Sequence, residues 1–221
     1  MSDSPLQDQR DDVAHAMASG RRERMWGMVI DADRCTGCQA CAAACRAENN
    51  SPPGISYMVI LEETRGEAPH TRRRSIPRPC MHCAKPSCVQ VCPVSATFLQ
   101  ADGMVTMDYD KCIGCRYCMT NCPYGARSFD FGESYNNEGP GEAAWERRPS
   151  HEYDRAWTRE DGDSPIGNVR KCHFCLHRVQ RGALPRVRGG LSHTGHHLRR
   201  PRQPQRRRLG GARRAPHHPT P

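Results

Sequence analysis

Hydrophobic residues are grouped in short blocks separated by longer polar stretches. Met28-Val29-Ile30, Tyr57-Met58-Val59-Ile60-Leu61, Thr97-Phe98-Leu99 and Met104-Val105-Thr106-Met107 are too short for amphipathic helices and read as strands. The last two flank Ala101-Asp102-Gly103, and an Asp-Gly pair suits a tight turn, which predicts a hairpin. The alanine-rich residues 39–47 predict a short helix. Residues 131–169 are hydrophilic, rich in Gly and Pro, and read as an inserted surface loop. Its Trp145 and Trp157 either pack on the body or meet a partner. No apolar run approaches the ~18–20 residues of a membrane span, so direct membrane insertion is not expected. Residues 1–24 read as a disordered N-terminal tail. Arg21-Arg22 has the look of an export signal, but no apolar stretch follows, so the chain is expected to have no signal peptide of its own.

Composition makes this pattern look underpowered. Hydrophobic residues are 36% of the 221, 14 of them are Cys, and mean hydropathy is −0.81. Without the Cys, the apolar complement is thin for a core of this size, so something besides greasy packing must stabilise the fold. The formal net charge of +9 is equally uneven. Residues 1–163 carry 19 Lys and Arg against 24 Asp and Glu, a net −5, whereas residues 164–221 carry 14 basic residues and no acid. A nucleic-acid argument would rest on that tail alone.

The Cys fall into four groups. Cys35, Cys38, Cys41 and Cys45 are spaced C-x2-C-x2-C-x3-C, and so are Cys112, Cys115, Cys118 and Cys122, which precede Pro123. Cys80, Cys83, Cys88 and Cys92 are spaced C-x2-C-x4-C-x3-C before Pro93, and the fourth group holds only Cys172 and Cys175. Residues 28–38 also match residues 105–115 at an offset of 77, each copy a strand, a polar turn and a Cys loop, which indicates duplication. Val169-Arg170-Lys171-Cys172 opens a weaker third copy.

Two-residue gaps let three thiolates of one tight loop bind three corners of a [4Fe–4S] cube, and the more distant fourth Cys serves the neighbouring cluster. Gly37 and Gly114 ease the turn, and backbone N–H groups can point at the sulfurs. A zinc knuckle closes one tetrahedron with two C-x2-C pairs, and Cys that close in sequence are awkward disulfide partners, so both alternatives fit poorly. His82 and His173 are weak ligand candidates because the Cys complement around His82 is already full. Tyr117 and Phe174 either shield the clusters from water or simply pack. Asp31, Asp33, Asp108 and Asp110 read as solvated turn residues, and nothing in the chain has the pattern of a nucleophile–base pair or a phosphate loop.

The run from Arg78-Pro79-Cys80-Met81-His82-Cys83 to Val91-Cys92-Pro93-Val94, with Asp108–Cys118 and Cys122-Pro123-Tyr124-Gly125-Ala126-Arg127, resembles the four-cluster iron–sulfur subunits of the molybdopterin oxidoreductase family, of the dimethyl sulfoxide, polysulfide and tetrathionate reductase type. The resemblance spans about residues 25–182. It implies an α+β fold of two ferredoxin-like [4Fe–4S] modules with short strands, short helices and long loops. It further implies a non-catalytic electron-transfer subunit between a molybdopterin catalytic subunit and a multi-span, quinone-reactive membrane anchor, peripheral to the cytoplasmic membrane through its partner. Carried over, one inner cluster takes Cys80, Cys83, Cys88 and Cys122, and the other Cys112, Cys115, Cys118 and Cys92. The outer pair takes Cys35, Cys38 and Cys41 on one cluster and Cys45, Cys172 and Cys175 on the other. Each outer cluster then lacks one Cys, because no downstream C-x3-C-P follows. The alternative is a metal-stabilised binding module that uses its basic tail for nucleic acid.

From residue 183 the character changes, and residues 183–221 read as an unstructured Arg- and His-rich tail. Residues 186–221 hold ten Arg, five His and no Asp, Glu, Lys or Cys. Read one nucleotide further on from Pro185, permitted synonymous codons give P-A-C-V-E-A-C-P and then T-Q-A-I-T-F-G-D, the absent Cys group and a strand. The 30 Arg against 3 Lys indicate GC-rich coding, in which shifted frames yield Arg, Pro, Gly and His. The tail is therefore expected to be an out-of-frame translation.

Overall fold

The computed structural model describes residues 5–18, 26–135, 144, 146–159, 165–189 and 196–199. Its elements are short, as the hydrophobic blocks predict. Helix α1 (Pro5–Ala18) is followed by β1 (Gly27–Ile30), a 3-10 turn at Ala32–Arg34 and α2 (Ala40–Glu48). Next come β2 (Val59–Arg65), β3 (Arg72–Arg78), α3 (Ser87–Gln90), β4 (Thr97–Leu99) and β5 (Val105–Met107). Then follow α4 (Tyr117–Thr120), β6 (Ser128–Phe129), β7 (Ser150–Glu152), β8 (Arg155–Trp157), β9 (Val169–Arg170), α5 (Leu176–Val179), α6 (Arg186–Gly189) and β10 (His196–Arg199).

Among the described residues the strands form five antiparallel ribbons of two, β1 with β10, β2 with β3, β4 with β5, β6 with β9, and β7 with β8. Four of these obey one rule. The strand after each Cys group pairs with the strand before the next, and β10, after the fourth group, returns to β1 before the first. Isolated two-stranded ribbons are marginal in water, so their stability must come from what they clamp together. What they clamp is a core in which Cys41, Cys45, Cys172 and Cys175 pack with Ile55, Tyr57, Met58 and Phe174, and a second in which Cys118 packs with Met107, Tyr109, Trp157 and Val169.

The duplication is visible in the backbone. Gly37 and Gln39 have φ of +71° and +59°, and their counterparts Gly114 and Arg116 have +68° and +59°. A Cβ on Gly114 would lie 2.5 Å from the Gly167 carbonyl oxygen, so both its φ and its closeness to the chain require glycine. Asp31 and Asp108 cap equivalent turns, accepting from the backbone N–H of Asp33 and Asp110. The predicted hairpin is β4–β5, the predicted helix is α2, and the strand predicted at Tyr57–Leu61 runs instead over Val59–Arg65. Its polar half is held by the ladder to β3, a long-range partner that an apolar-block reading misses.

Three expectations are corrected. First, residues 1–24 are not wholly a disordered tail, since α1 seats Val13 (1% exposed) in the main core with Met17 against it. Gln9, Val13 and Met17 recur at four-residue spacing, a narrow stripe diluted by charge. Second, residues 131–169 are not simply a surface loop. The β7–β8 hairpin drives Glu152 (0% exposed) into the interior, where it meets Arg170, Tyr57 and Tyr109. Trp157 packs on Tyr109 and donates from Nε1 to the Glu152 carbonyl at 2.9 Å, whereas Trp145 lies outside the described residues. Third, the tail beyond residue 182 is not unstructured throughout. Leu184 and Val187 are buried, α6 packs on α2, and β10 closes the strand cycle. Residues 190–195 and 200–221 lie outside the described residues.

Candidate metal centres

All fourteen Cys are free thiols. Tight Cys loops are set by left-handed residues such as Gly114 and Arg116, after which α4 begins at once and carries Cys118 inward. Cys41 and Cys45 occupy the buried face of α2, one turn apart, so the same helix sends its thiols to different neighbours.

One cavity is lined by Cys80, Cys83 and Cys88 of the second group and Cys122 of the third. A second is lined by Cys112, Cys115 and Cys118 of the third group and Cys92 of the second. The exchange of the last Cys between groups is thus built into the fold. A third cavity brings Cys45 of the first group to Cys172 and Cys175 of the fourth. Cys35 and Cys38 lie close enough to Cys41 to oppose its ionisation. Among the described residues, no three Cys, His, Asp or Glu side chains converge as tightly as a single ion requires, and the thiols instead surround open volumes.

Donors already aim at the sulfurs. Backbone N–H groups of Ala96, Ala126 and Phe174 donate to Cys92, Cys122 and Cys172 Sγ at 3.2, 3.4 and 3.4 Å. Asn49 Nδ2 reaches Cys45 Sγ at 3.4 Å. Arg127 donates from Nη2 to Cys88 Sγ at 3.0 Å and to Thr97 Oγ1 at 2.9 Å. Such donors stabilise negative charge on sulfur and raise the potential of any cluster bound there. A donor set of four soft thiolates around a small, mostly apolar volume fits a [4Fe–4S] cube in the first two cavities. The third offers three thiols and does not fit a fully Cys-ligated cube.

Burial pushes the Cys172 thiol up to about 12 and the Cys175 thiol up to about 11. It also raises the Cys45 thiol, while the Ala40 backbone N–H and the Thr36 hydroxyl lower that of exposed Cys38. Metal binding at the buried pair must therefore expel protons.

The two histidines are otherwise engaged. His82 Nδ1 accepts from the Val105 N–H and His173 Nδ1 from the Leu176 N–H, both at 3.0 Å. His173 Nε2 faces Glu152, 3.9 Å away. Phe174 is buried against His82 and lines the third cavity, whereas Tyr117 is 55% exposed and is not among the residues that line these three cavities. Sequence reasoning missed Arg127, whose only signal is its place five residues after Cys122. It also missed Lys171, fully buried beside Cys172 with Nζ donating to that residue's carbonyl at 2.7 Å.

Comparison with known proteins places these loops. Two models described as 4Fe-4S dicluster domain match residues 72–136 and 21–97. The chain is 48% identical to a selenate reductase subunit from Mesobacillus selenatarsenatis, over 83% of this chain and 63% of the relative. It is 43% identical to the iron-sulfur cluster-binding subunit of menaquinone reductase from Nitratidesulfovibrio vulgaris, over 74% and 64%. It is 34% identical to the arsenate respiratory reductase iron-sulfur subunit of a Shewanella species, over 72% and 74%. The chain thus spans somewhat under two thirds of the first two relatives' length.

Proposed function

The chain belongs to the iron–sulfur subunits of the molybdopterin oxidoreductase family, and from that premise we propose that it conducts electrons between a molybdopterin catalytic subunit and a quinone-reactive membrane subunit. It performs no catalysis of its own. The observation that carries this reading is the pair of cavities, each lined by three Cys of one group and one of the other. Two adjoining four-thiolate sites make a path, whereas one would make only a store.

When bound, [4Fe–4S] clusters supply reversible one-electron chemistry. The chain's own residues do the rest. Cys80, Cys83, Cys88 and Cys122 hold one inner cluster, and Cys112, Cys115, Cys118 and Cys92 the other. Cys35, Cys38 and Cys41 hold one outer site, and Cys45, Cys172 and Cys175 the second. Backbone N–H groups and Arg127 place positive charge at sulfur, and Met107, Val169 and Phe174 keep water away. The two modules are ferredoxin-like halves related by the 77-residue repeat.

The chain meets the membrane through its partners, and no described helix is long and apolar enough to cross a bilayer. The nucleic-acid alternative finds no support among these relatives. Anaerobically purified protein, analysed for iron and acid-labile sulfide with low-temperature EPR after reduction, tests the reading. Brown protein with near-equal iron and sulfide and reduced-state signals is expected. Colourless, zinc-loaded protein without such signals would overturn it.

A further inference from the structure

The third cavity differs from the other two in its donors, three thiols instead of four. Cys45, Cys172 and Cys175 line one side, and Pro185 and Val187 stand among the other lining residues. Val187 is 4% exposed and belongs to the same core cluster as the three thiols. It is carried there by α6, which packs on α2, the helix that bears Cys45. The backbone of Arg186, its neighbour, lies near enough to the Cys175 thiol to favour its ionisation, against the larger effect of burial.

The strand cycle reaches the same position independently. β4 begins five residues after Cys92, the last Cys of its group, and β6 six residues after Cys122. Counting back five or six from the start of β10 at His196 gives Leu191 or Gly190, and a C-x3-C spacing then puts the preceding Cys position at Val187 or Arg186, of which Val187 is the buried one. Coding chemistry agrees. A valine codon followed by an arginine codon of the CGN type, read one nucleotide on, is T-N-C, which is Cys when N is G. Leu191 followed by Ser192 yields T-N-T, again Cys when N is G.

We infer that Val187 occupies the fourth ligand position of the site formed by Cys45, Cys172 and Cys175. An isopropyl group has no lone pair to offer iron, so this chain presents three thiolates and no fourth ligand from position 187. The site takes a [3Fe–4S] core, in which one corner of the cube is absent and three thiolates complete the coordination. The inference rests on the proposed cluster-binding function and concerns one position within it.

The test uses the full chain and its Val187→Cys and Val187→Ala variants, reconstituted anaerobically with ferrous iron and sulfide. Iron content, Mössbauer spectra and EPR of the oxidised proteins are recorded. A [3Fe–4S] core is paramagnetic when oxidised, whereas an oxidised cube of the ferredoxin type is silent. The parent and Val187→Ala should show the oxidised three-iron signal. Val187→Cys should remove the part of that signal which Cys45→Ser also removes in the parent, with a gain of about one iron per chain. Val187→Cys with unchanged iron and spectrum overturns the inference, as does a parent whose three-iron signal survives Cys45→Ser intact. The Cys45→Ser comparison decides the matter even if Val187→Cys fails to fold. Iron-loaded inner sites with an unresponsive position 187 would overturn this inference alone. Failure of every protein to take up iron and sulfide would overturn the cluster reading, and this inference with it.

Discussion

Arg127 donates from Nη2 to Cys88 Sγ at 3.0 Å, and its Nη1 lies 3.3 Å from Met107 Sδ. Cys88 lines one four-Cys cavity and Met107 the other, so a single buried cation stands in the wall between the two. Both neighbouring sets of thiols, Cys118 and Cys88 foremost, hold its charge in place against the cost of burial. A cation next to sulfur favours the reduced, more negative cluster. Arg127→Met is therefore expected to lower the inner potentials, by on the order of 50–100 mV for the loss of one charge-assisted hydrogen bond. EPR-monitored redox titration measures this. Potentials that stay put, or rise, would refute the tuning role.

Glu152 is expected to matter out of proportion to its place in a hydrophilic stretch. Its carboxylate pairs with Arg170, and it accepts from Tyr57 Oη at 2.8 Å and Tyr109 Oη at 2.6 Å. Arg170 in turn bonds Asp130 at 2.8 Å, all of these side chains being buried. Without Glu152 the buried Arg170 keeps only Asp130, which Arg159 also pairs, so its charge is half-compensated and Glu152→Ala should cost about 3 kcal/mol. The loss is read as bleaching of the cluster absorbance at lower denaturant. Glu133→Ala, an exposed change in the same stretch, serves as the control and should leave the midpoint in place.

Iron removal is predicted to collapse packing rather than leave a hollow shell. Cys41, Cys45, Cys118, Cys172 and Cys175 are themselves core residues, and the ribbons around them are two strands wide. Metal binding is then folding free energy. Chelation under oxidising conditions should abolish the near-UV CD of the aromatic cluster around Tyr109 and Trp157. A native-like near-UV spectrum in iron-free protein would contradict this.

The coding origin of the tail is checked at the level of DNA. A one-nucleotide difference near codons 183–185, found on replicate sequencing of the gene, is the expected outcome. A clean, repeated read in the present frame would dismiss the slip while leaving the place of Val187 in the fold untouched.

The Cys loops, the repeat and the identity of the bound group were legible because they are local. Three thiols at three-residue steps fix their own geometry through the backbone between them, and Gly37 and Gly114 announce the turn that aims them. Spacing also revealed the β4–β5 hairpin, since its turn sits between its strands. The N-terminal helix was illegible because one stripe residue in four is no pattern until the core that receives Val13 is present. Only the tertiary structure decided that Arg127 parts two cavities, that Glu152 is interior and that Val187 is buried among the thiols of Cys45, Cys172 and Cys175. Each of these joins segments many residues apart, and such contacts are chosen by how the ribbons close on one another, a competition of packing and chain entropy that no stretch of sequence carries alone.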